Sequence, residues 1–206
     1  MIVALPKGVA LKHSLAIVAH VVASEPNPRQ LHFCGNSGVK VLLVKHRDIP
    51  GLLTNDLIDI GVTSTDWLIE KGTTLLPYLE LDWCFTKIAL ISKRECTHQL
   101  SQSSLCVTEF PNIATQYVTD RGLGESLKLL HVSGSTEAYV GSVCDFAIDC
   151  VETGETLRQN GLVLREIIKQ ITTVVVASRR GRHFSSRFQD LLSEAGQRTQ
   201  TWAGSY

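Results

Sequence analysis

One pattern constrains this chain more than any other, and the chain uses it twice. VALPKG (Val3–Gly8) takes an apolar, strand-like run into a proline turn and then a helical stretch, and VTEFPN (Val107–Asn112) answers it later in the chain. DIGVTSTDWL (Asp59–Leu68) runs a second strand into a hydroxyl-rich turn and a helix, and DFAIDCVETGETL (Asp145–Leu157) answers that. Strands that alternate with helices in this way predict an α/β protein with largely parallel sheets. Two echoing halves predict two similar lobes and a ligand cleft between them.

The elements follow from periodicity. Ile2–Leu5, Val39–Val44, Ile58–Val62 and Ile88–Ser92 read as strands, and Leu11, Leu15, Val18 and Val22 keep helical spacing. Arg47–Pro50 starts a helix, and Trp67–Lys71 makes a short one closed by Gly72. After a polar linker near Glu95–Ser104 the scheme restarts with strand Leu105–Thr108. Pro111 then opens a helix with Ile113, Ala114, Tyr117 and Val118 on one face. Leu127–Val132 and Asp145–Val151 read as strands, with a helical Ser135–Val140 between them, and Ile167–Ala177 is extended. Phe184, Phe188, Leu191, Leu192 and Ala195 form an amphipathic helix stopped by Gly196. The expected division is 1–92 with 178–206 as the first lobe and 93–177 as the second.

Composition narrows the function. Twenty basic residues balance twenty acidic ones, so any anion must be held by a local site rather than by a global field. The basic cluster Arg179, Arg180, Arg182 and Arg187 has no interleaved aromatics and reads as a solvated tail or subunit contact, not a nucleic-acid surface. Trp67 and Trp83 read as core or interface. The six cysteines form no CxxC pair and read as small buried hydrophobes in a reducing compartment. The seven histidines lack the close spacing of a zinc site. No apolar run is long enough to span a membrane, and the N-terminus has no basic leader, so the expectation is a cytoplasmic protein.

The chemistry concentrates in the second hydroxyl turn. A strand that ends in Thr153-Gly154-Glu155-Thr156 and enters a helix suits a phosphate. Gly154 permits close backbone approach, the following amides lack helical partners, and Thr153 and Thr156 add hydroxyls. Asp149 and Glu152 beside that turn suit a ligand with sugar hydroxyls or a magnesium ion. The plain alternative is an ordinary helix start with Thr153 as its cap.

DCVETGETLRQNGL (Asp149–Leu162) resembles the phosphoribosyl-pyrophosphate (PRPP) loop of ATP phosphoribosyltransferase, the first enzyme of histidine biosynthesis. It matches the family pattern Asp-x-Val-x-Thr-Gly-x-Thr-Leu-x-x-Asn-Gly-Leu at every fixed position. ALPKG (Ala4–Gly8), DIP (Asp48–Pro50), DIGVTSTD (Asp59–Asp66), FPNIA (Phe110–Ala114) and SGSTE (Ser133–Glu137) follow the family in the same order. The length resembles the short form, which works with a separate subunit resembling histidyl-tRNA synthetase. The resemblance implies a type II periplasmic-binding-protein-like fold with the active site in the cleft.

Several positive groups of the family pattern are changed here. Val9 stands where arginine is usual after PKG, Leu105 stands at another arginine position, and Ser64 stands at a usual glycine. Lys45 replaces an arginine ahead of DIP. In DWCFTK (Asp82–Lys87), Thr86 and Lys87 replace a cysteine and an arginine, and Glu109 stands where a small, polar or basic residue is common. Lysine keeps the charge but loses the bidentate fork.

The resemblance implies displacement at the anomeric carbon of PRPP by N1 of ATP, with pyrophosphate leaving through an oxocarbenium-like transition state. Positioning and electrostatics would carry the catalysis, with Mg2+ brought in on the pyrophosphate. Thr153, Gly154, Glu155 (by its amide), Thr156 and Leu157 would hold the 5′-phosphate, while Asp149 and Glu152 would face the ribose. Lys7 and Lys45 would meet the pyrophosphate, and Lys7, Asp149 and Glu152 form the catalytic set. Glu137, Asp66 and Lys87 would contact the acceptor. Each has its bland alternative: a solvated acid, a helix cap or a surface lysine. A homo-oligomer is expected, with the regulatory subunit as a further partner. A same-lineage enzyme with another acceptor, and a non-catalytic ligand-binding module, stay open as readings of the altered charges.

Overall fold

A computed structural model describes residues 1–35, 37–96, 100 and 103–204. In chain order the strands are β1 (Ile2–Pro6), β2 (His32–Cys34), β3 (Lys40–Val44), β4 (Ile60–Ser64), β5 (Pro77–Lys93), β6 (Ser104–Thr108), β7 (Leu127–His131), β8 (Phe146–Val151), β9 (Leu162–Ala177) and β10 (Thr199–Thr201). The helices are α1 (Leu11–Val22), α2 (Ile49–Thr54), α3 (Thr65–Glu70), α4 (Pro111–Asp120), α5 (Glu155–Gln159) and α6 (Ser185–Glu194).

Two compact units emerge, 1–84 with 172–206 and 85–171. The changeovers fall inside β5 and β9, whereas the expected division at 92/93 and 177/178 lies at the far ends of those strands. Only the most apolar part of each strand is obvious in the sequence. The first half of β5 alternates buried and half-exposed positions, and its charged outer positions disguise it.

In unit 1, β1 lies between β3 and β4 and is parallel to both. β2 pairs antiparallel with β3, and β9 pairs antiparallel with β4. Both faces of this sheet are covered, so its strands read as continuous apolar runs rather than alternating ones. On one face, Val3, Leu5, Val41, Leu43, Ile60 and Val62 pack with Ile17 and Val18 of α1 and Phe188 and Leu192 of α6. On the other, Ala4, Val174 and Val176 meet Ile49 and Leu53 of α2 and Leu68 of α3.

Unit 2 repeats the scheme. β6 lies between β7 and β8, parallel to both, and β5 pairs antiparallel with β8. Its core gathers Ala89, Ile91, Val107, Ala147 and Val151 with Leu157 and Leu162. α4 begins with Pro111, whose fixed φ suits a first helical turn, and buries Ile113, Ala114, Tyr117 and Val118.

Asp59 ties the start of unit 1's sheet to the C-terminal segment. Its buried carboxylate accepts the Ile2 amide at 2.6 Å and Arg180 Nε at 2.8 Å. Its carbonyl accepts the Ser178 amide at 2.9 Å. Gly181 packs so tightly there that a Cβ would come within 1.9 Å of the Asp59 carbonyl oxygen, a distance backbone atoms do not tolerate. Gly181→Ala is therefore expected to destabilise the protein by about 1–3 kcal/mol. Gly124→Ala, at an exposed position with open space, should stay within about 0.5 kcal/mol of wild type. Chemical denaturation of the two variants checks the contrast.

Candidate functional site

Open α/β sheets bind ligands beyond the carboxyl ends of their strands, where the strand order reverses. In unit 2 the chain leaves β6 for β7 on one side and returns as β8 on the other, so the reversal lies between β6 and β8. Those two strands end at Thr108-Glu109 and at Val151-Glu152-Thr153-Gly154. The hydroxyl-glycine turn therefore stands at the reversal point of its own sheet.

The turn is set by a few local features. Gly154 takes φ +75°, a left-handed conformation that glycine adopts without penalty. The Leu157 side chain is buried in the unit 2 core and anchors the short helix α5. Thr153 Oγ1 accepts the Glu155 amide at 3.3 Å, so that amide is already engaged within the turn. Among the described residues, no acceptor pairs with the amides of Gly154, Thr156 or Leu157. Glu152, Thr153 and Thr156 are exposed. The Glu155 carboxylate turns to Arg158 at 2.6 Å and 3.0 Å and to Gln159 at 2.7 Å, which lowers its pKa.

Asp149 lies within β8 and is buried. The Thr136 hydroxyl donates to its Oδ2, and the Cys150 amide donates to its Oδ1 at 2.7 Å. Burial pushes the carboxyl up to about 6, the two hydrogen bonds oppose that rise, and the neighbouring carboxylates of Glu137 and Glu109 add to it. Glu137 is half-buried in the 3₁₀ turn Thr136–Ala138, shorter than the expected helical stretch Ser135–Val140. Glu109 approaches the same region, and a Cβ on Gly134 would stand 3.7 Å from its Oε2. The structure thus brings together Asp149, Glu137 and Glu109, with Thr136 as a partner that nothing in the sequence marked beyond its place in SGSTE.

Lys87 lies across from Val151 in the β5–β8 pairing and lines a pocket with Thr153 and Gly154. Sequence spacing gave no sign of that proximity, which depends on strand pairing.

Unit 1 places its candidates in the equivalent way. Lys7 follows β1 and is exposed, its amide donating to the Val44 carbonyl at 2.8 Å. Lys45 follows β3 and is exposed. Asp66 follows β4 in the first turn of α3, where it is buried and its Oδ1 accepts the Trp67 amide at 2.8 Å. Ser64, not Asp66, holds the cap position of that helix. Among the described residues, no helix is long and apolar enough to cross a membrane.

The sequence pattern of the ATP phosphoribosyltransferase (HisG) family matches residues 45–197. The chain belongs to the ATP phosphoribosyltransferase family. An ATP phosphoribosyltransferase of Caldanaerobacter subterraneus subsp. tengcongensis is 26% identical over 197 residues, covering 92% of this chain and 93% of that protein. One from Campylobacter curvus is 31% identical over 181 residues, covering 86% of each. Among solved structures, a chain of the ATP phosphoribosyl transferase (HisG:HisZ) complex from Thermotoga maritima superposes with a TM-score of 0.79 at 24% identity, over 95% of this chain and 98% of that one. The substrate binding protein of an amino acid ABC transporter superposes at 0.61 with 6% identity, over 95% of each chain, a likeness of fold alone. The fold is the expected type II periplasmic-binding-protein-like α/β architecture.

The raised carboxyl makes a pH prediction. Folded Asp149 holds its proton up to about 6, while the free group loses it near 3.8. The folded state binds more protons in that window, so this contribution to stability is full below the lower value and is lost as pH rises through the upper one. Relative to Asp149→Asn, wild type should lose on the order of 2 kcal/mol between about pH 4 and 7. Urea denaturation of both proteins across that range measures it, and a constant difference would mean an unperturbed carboxyl.

Proposed function

We propose that this protein transfers the 5-phosphoribosyl group of PRPP to N1 of ATP and releases pyrophosphate, the opening step of histidine biosynthesis. The observation that carries the reading is the turn Glu152–Leu157. It bears the family's sugar-phosphate motif, stands at the strand-order reversal of unit 2, and leaves amides without acceptors among the described residues. The relatives that this chain is similar to are named for that activity.

In this reading the amides of Gly154, Thr156 and Leu157 and the hydroxyls of Thr153 and Thr156 hold the 5′-phosphate. The Glu155 amide, already bonded to Thr153, holds the turn's shape instead. Asp149 and Glu152 accept hydrogen bonds from the ribose hydroxyls. As the carbon–oxygen bond to pyrophosphate lengthens, positive charge grows on the sugar, and carboxylates beside it favour it. Glu137 lies beside Asp149 and serves the ribose or the acceptor. In unit 1, Lys7 and Lys45 are given to pyrophosphate oxygens and Asp66 to the acceptor. No covalent intermediate is required.

Magnesium fits the hard oxygens of Asp149, Glu137 and Glu109 in kind. Among the described residues, no group of three His, Cys, Asp or Glu side chains is arranged to hold a metal ion. The ion is therefore assigned to the donor's pyrophosphate, where it supplies charge neutralisation of the leaving group. The Thermotoga maritima neighbour was solved as a HisG:HisZ complex. A second, histidyl-tRNA-synthetase-like subunit is accordingly the proposed partner, together with self-association of this chain in the cytoplasm.

Incubation of the chain with PRPP, ATP and magnesium should yield pyrophosphate and the N1-adduct in equal amounts, and pyrophosphate without adduct would sink the reading. Thr153→Ala should raise KM for PRPP by about tenfold, the loss of one charge-assisted hydrogen bond. Because the carboxylate form of Asp149 is the hydrogen-bond acceptor, PRPP affinity should fall as pH drops below about 6 and should lose that dependence in Asp149→Asn.

A further inference from the structure

At the amino end of β8, unit 2 contains another pocket, of about 520 Å³, whose lining includes Lys93, Glu95, Cys96, Cys144 and Asp145. The phosphate turn follows the opposite end of the same six-residue strand, about 20 Å away. Both thiols in this pocket are free. Cys144 is buried and Cys96 is half-buried, so Cys96 departs from the expectation of six buried cysteines.

Strand pairing brings these two cysteines together from distant parts of the chain. β5 faces β8 from Lys87↔Val151 to Ser92↔Phe146, so the next step sets Lys93 across from Asp145, the neighbour of Cys144. Each cysteine then folds back toward that point. The Cys96 amide donates to the Lys93 carbonyl at 3.2 Å, and the Gly141 amide donates to the Cys144 carbonyl at 2.8 Å. The two turns touch, because a Cβ on Gly141 would come within 2.6 Å of Lys93 Cε. Arg165 holds the first turn in place, its guanidinium donating to the carbonyls of Lys93 at 2.8 Å and Cys96 at 3.1 Å.

We propose that Cys96 and Cys144 form a thiol–disulfide exchange site, in which Cys96 reacts with a small disulfide and Cys144 resolves the product. Cys96 gives up its proton and attacks one sulfur of the reagent, whose S–S bond breaks and releases one thiol. Cys144 then gives up its proton and attacks the Cys96 sulfur, releasing the second thiol. Two protein thiols become one disulfide, and the reagent is reduced to two thiols. The order follows from access. Cys96 is the thiol that solvent reaches, whereas burial pushes the Cys144 thiol up and leaves it the second, intramolecular step. Charge sets the class of reagent. Lys93 Nζ is engaged by the Asn160 carbonyl at 3.0 Å, while Glu95 is exposed and Asp145 gives only its Oδ2 to the Leu105 amide, at 3.1 Å. Two carboxylates at the pocket favour a neutral or cationic disulfide over an anionic one. In a reducing compartment such a bond is transient, which suits redox sensing rather than a structural staple.

Cystamine, a cationic disulfide, is the probe. It is applied to the folded full chain carrying Cys34→Ser, because exposed Cys34 would take up the reagent by itself. After excess reagent is removed, the protein should have lost two alkylatable thiols and two hydrogens in mass, with no cysteamine retained at Cys96. Adding Cys144→Ala should trap one cysteamine on Cys96, since the resolving step is gone. Adding Cys96→Ser should abolish the bridge. Adding Cys106→Ser should leave it intact, although Cys106 is a further thiol near Cys144. Chymotryptic cleavage at Leu100 or Leu105 separates Cys96 from Cys106, so the joined cysteines are also identified without any substitution in the core. Retention of both thiols overturns the proposal, as does a bridge through Cys106 or one that forms only in urea.

Discussion

The arrangement of this chain depends on one topological constraint, the reversal of strand order about a central parallel strand. β1 does this in unit 1 and β6 in unit 2. The sheet in unit 1 is covered on both faces, and the central strands of both units are almost wholly buried, so their middles are closed to exposed polar groups. Chemistry is confined to the carboxyl ends. Lys7, Lys45 and Asp66 follow β1, β3 and β4, while Glu109 and Glu152–Thr156 follow β6 and β8. That distribution is the result of burial acting on a repeated topology, and it explains why both halves place a hydroxyl-rich turn at the same point in the scheme.

Asp149 is the exception, a carboxyl inside a buried strand. Ionisation there requires removing a charge from water, and two neighbouring acids make it harder. The Thr136 hydroxyl and the Cys150 amide offset part of that cost. Asparagine, with one oxygen and one amide nitrogen, would carry no charge to desolvate but could accept only one of these two hydrogen bonds. A carboxyl with a raised pKa is better matched to a ligand that brings its own donors or developing positive charge. The Thr136 contact also ties SGSTE, and with it Glu137, to the strand that leads into the phosphate turn.

Much of this was readable in the sequence. The parallel strands were visible as unbroken apolar runs, because burial on both faces removes the need for alternation. The phosphate turn was visible because glycine, threonine and carboxylates have few other reasons to gather after a buried strand. What was hidden depended on pairing. β2 and β10 are three-residue strands, HFC and TQT, too short and too polar to register as periodicity. β9 begins at Leu162, but Arg165, Glu166 and Lys169 interrupt its first half, so only the β-branched second half stood out. Thr136 and Arg165 act through partners that spacing does not reveal, Asp149 and Ser92.

The phosphate turn also shows which of its own contacts matter. Its most conspicuous ion pair, Glu155 with Arg158, is exposed on both sides, and such pairs contribute little to shape. Leu157 is different. Its side chain is almost fully buried beside Val151 and Leu162, and burying a leucine is worth about 2 kcal/mol. That single apolar anchor, with the left-handed Gly154 before it and the Lys93 contact to Asn160 behind it, fixes where the free amides lie. Polar residues supply the turn's chemistry, but its position is determined by a hydrophobic side chain and a backbone conformation. Electrostatic arguments about ligand affinity at this turn therefore presuppose packing in the unit 2 core.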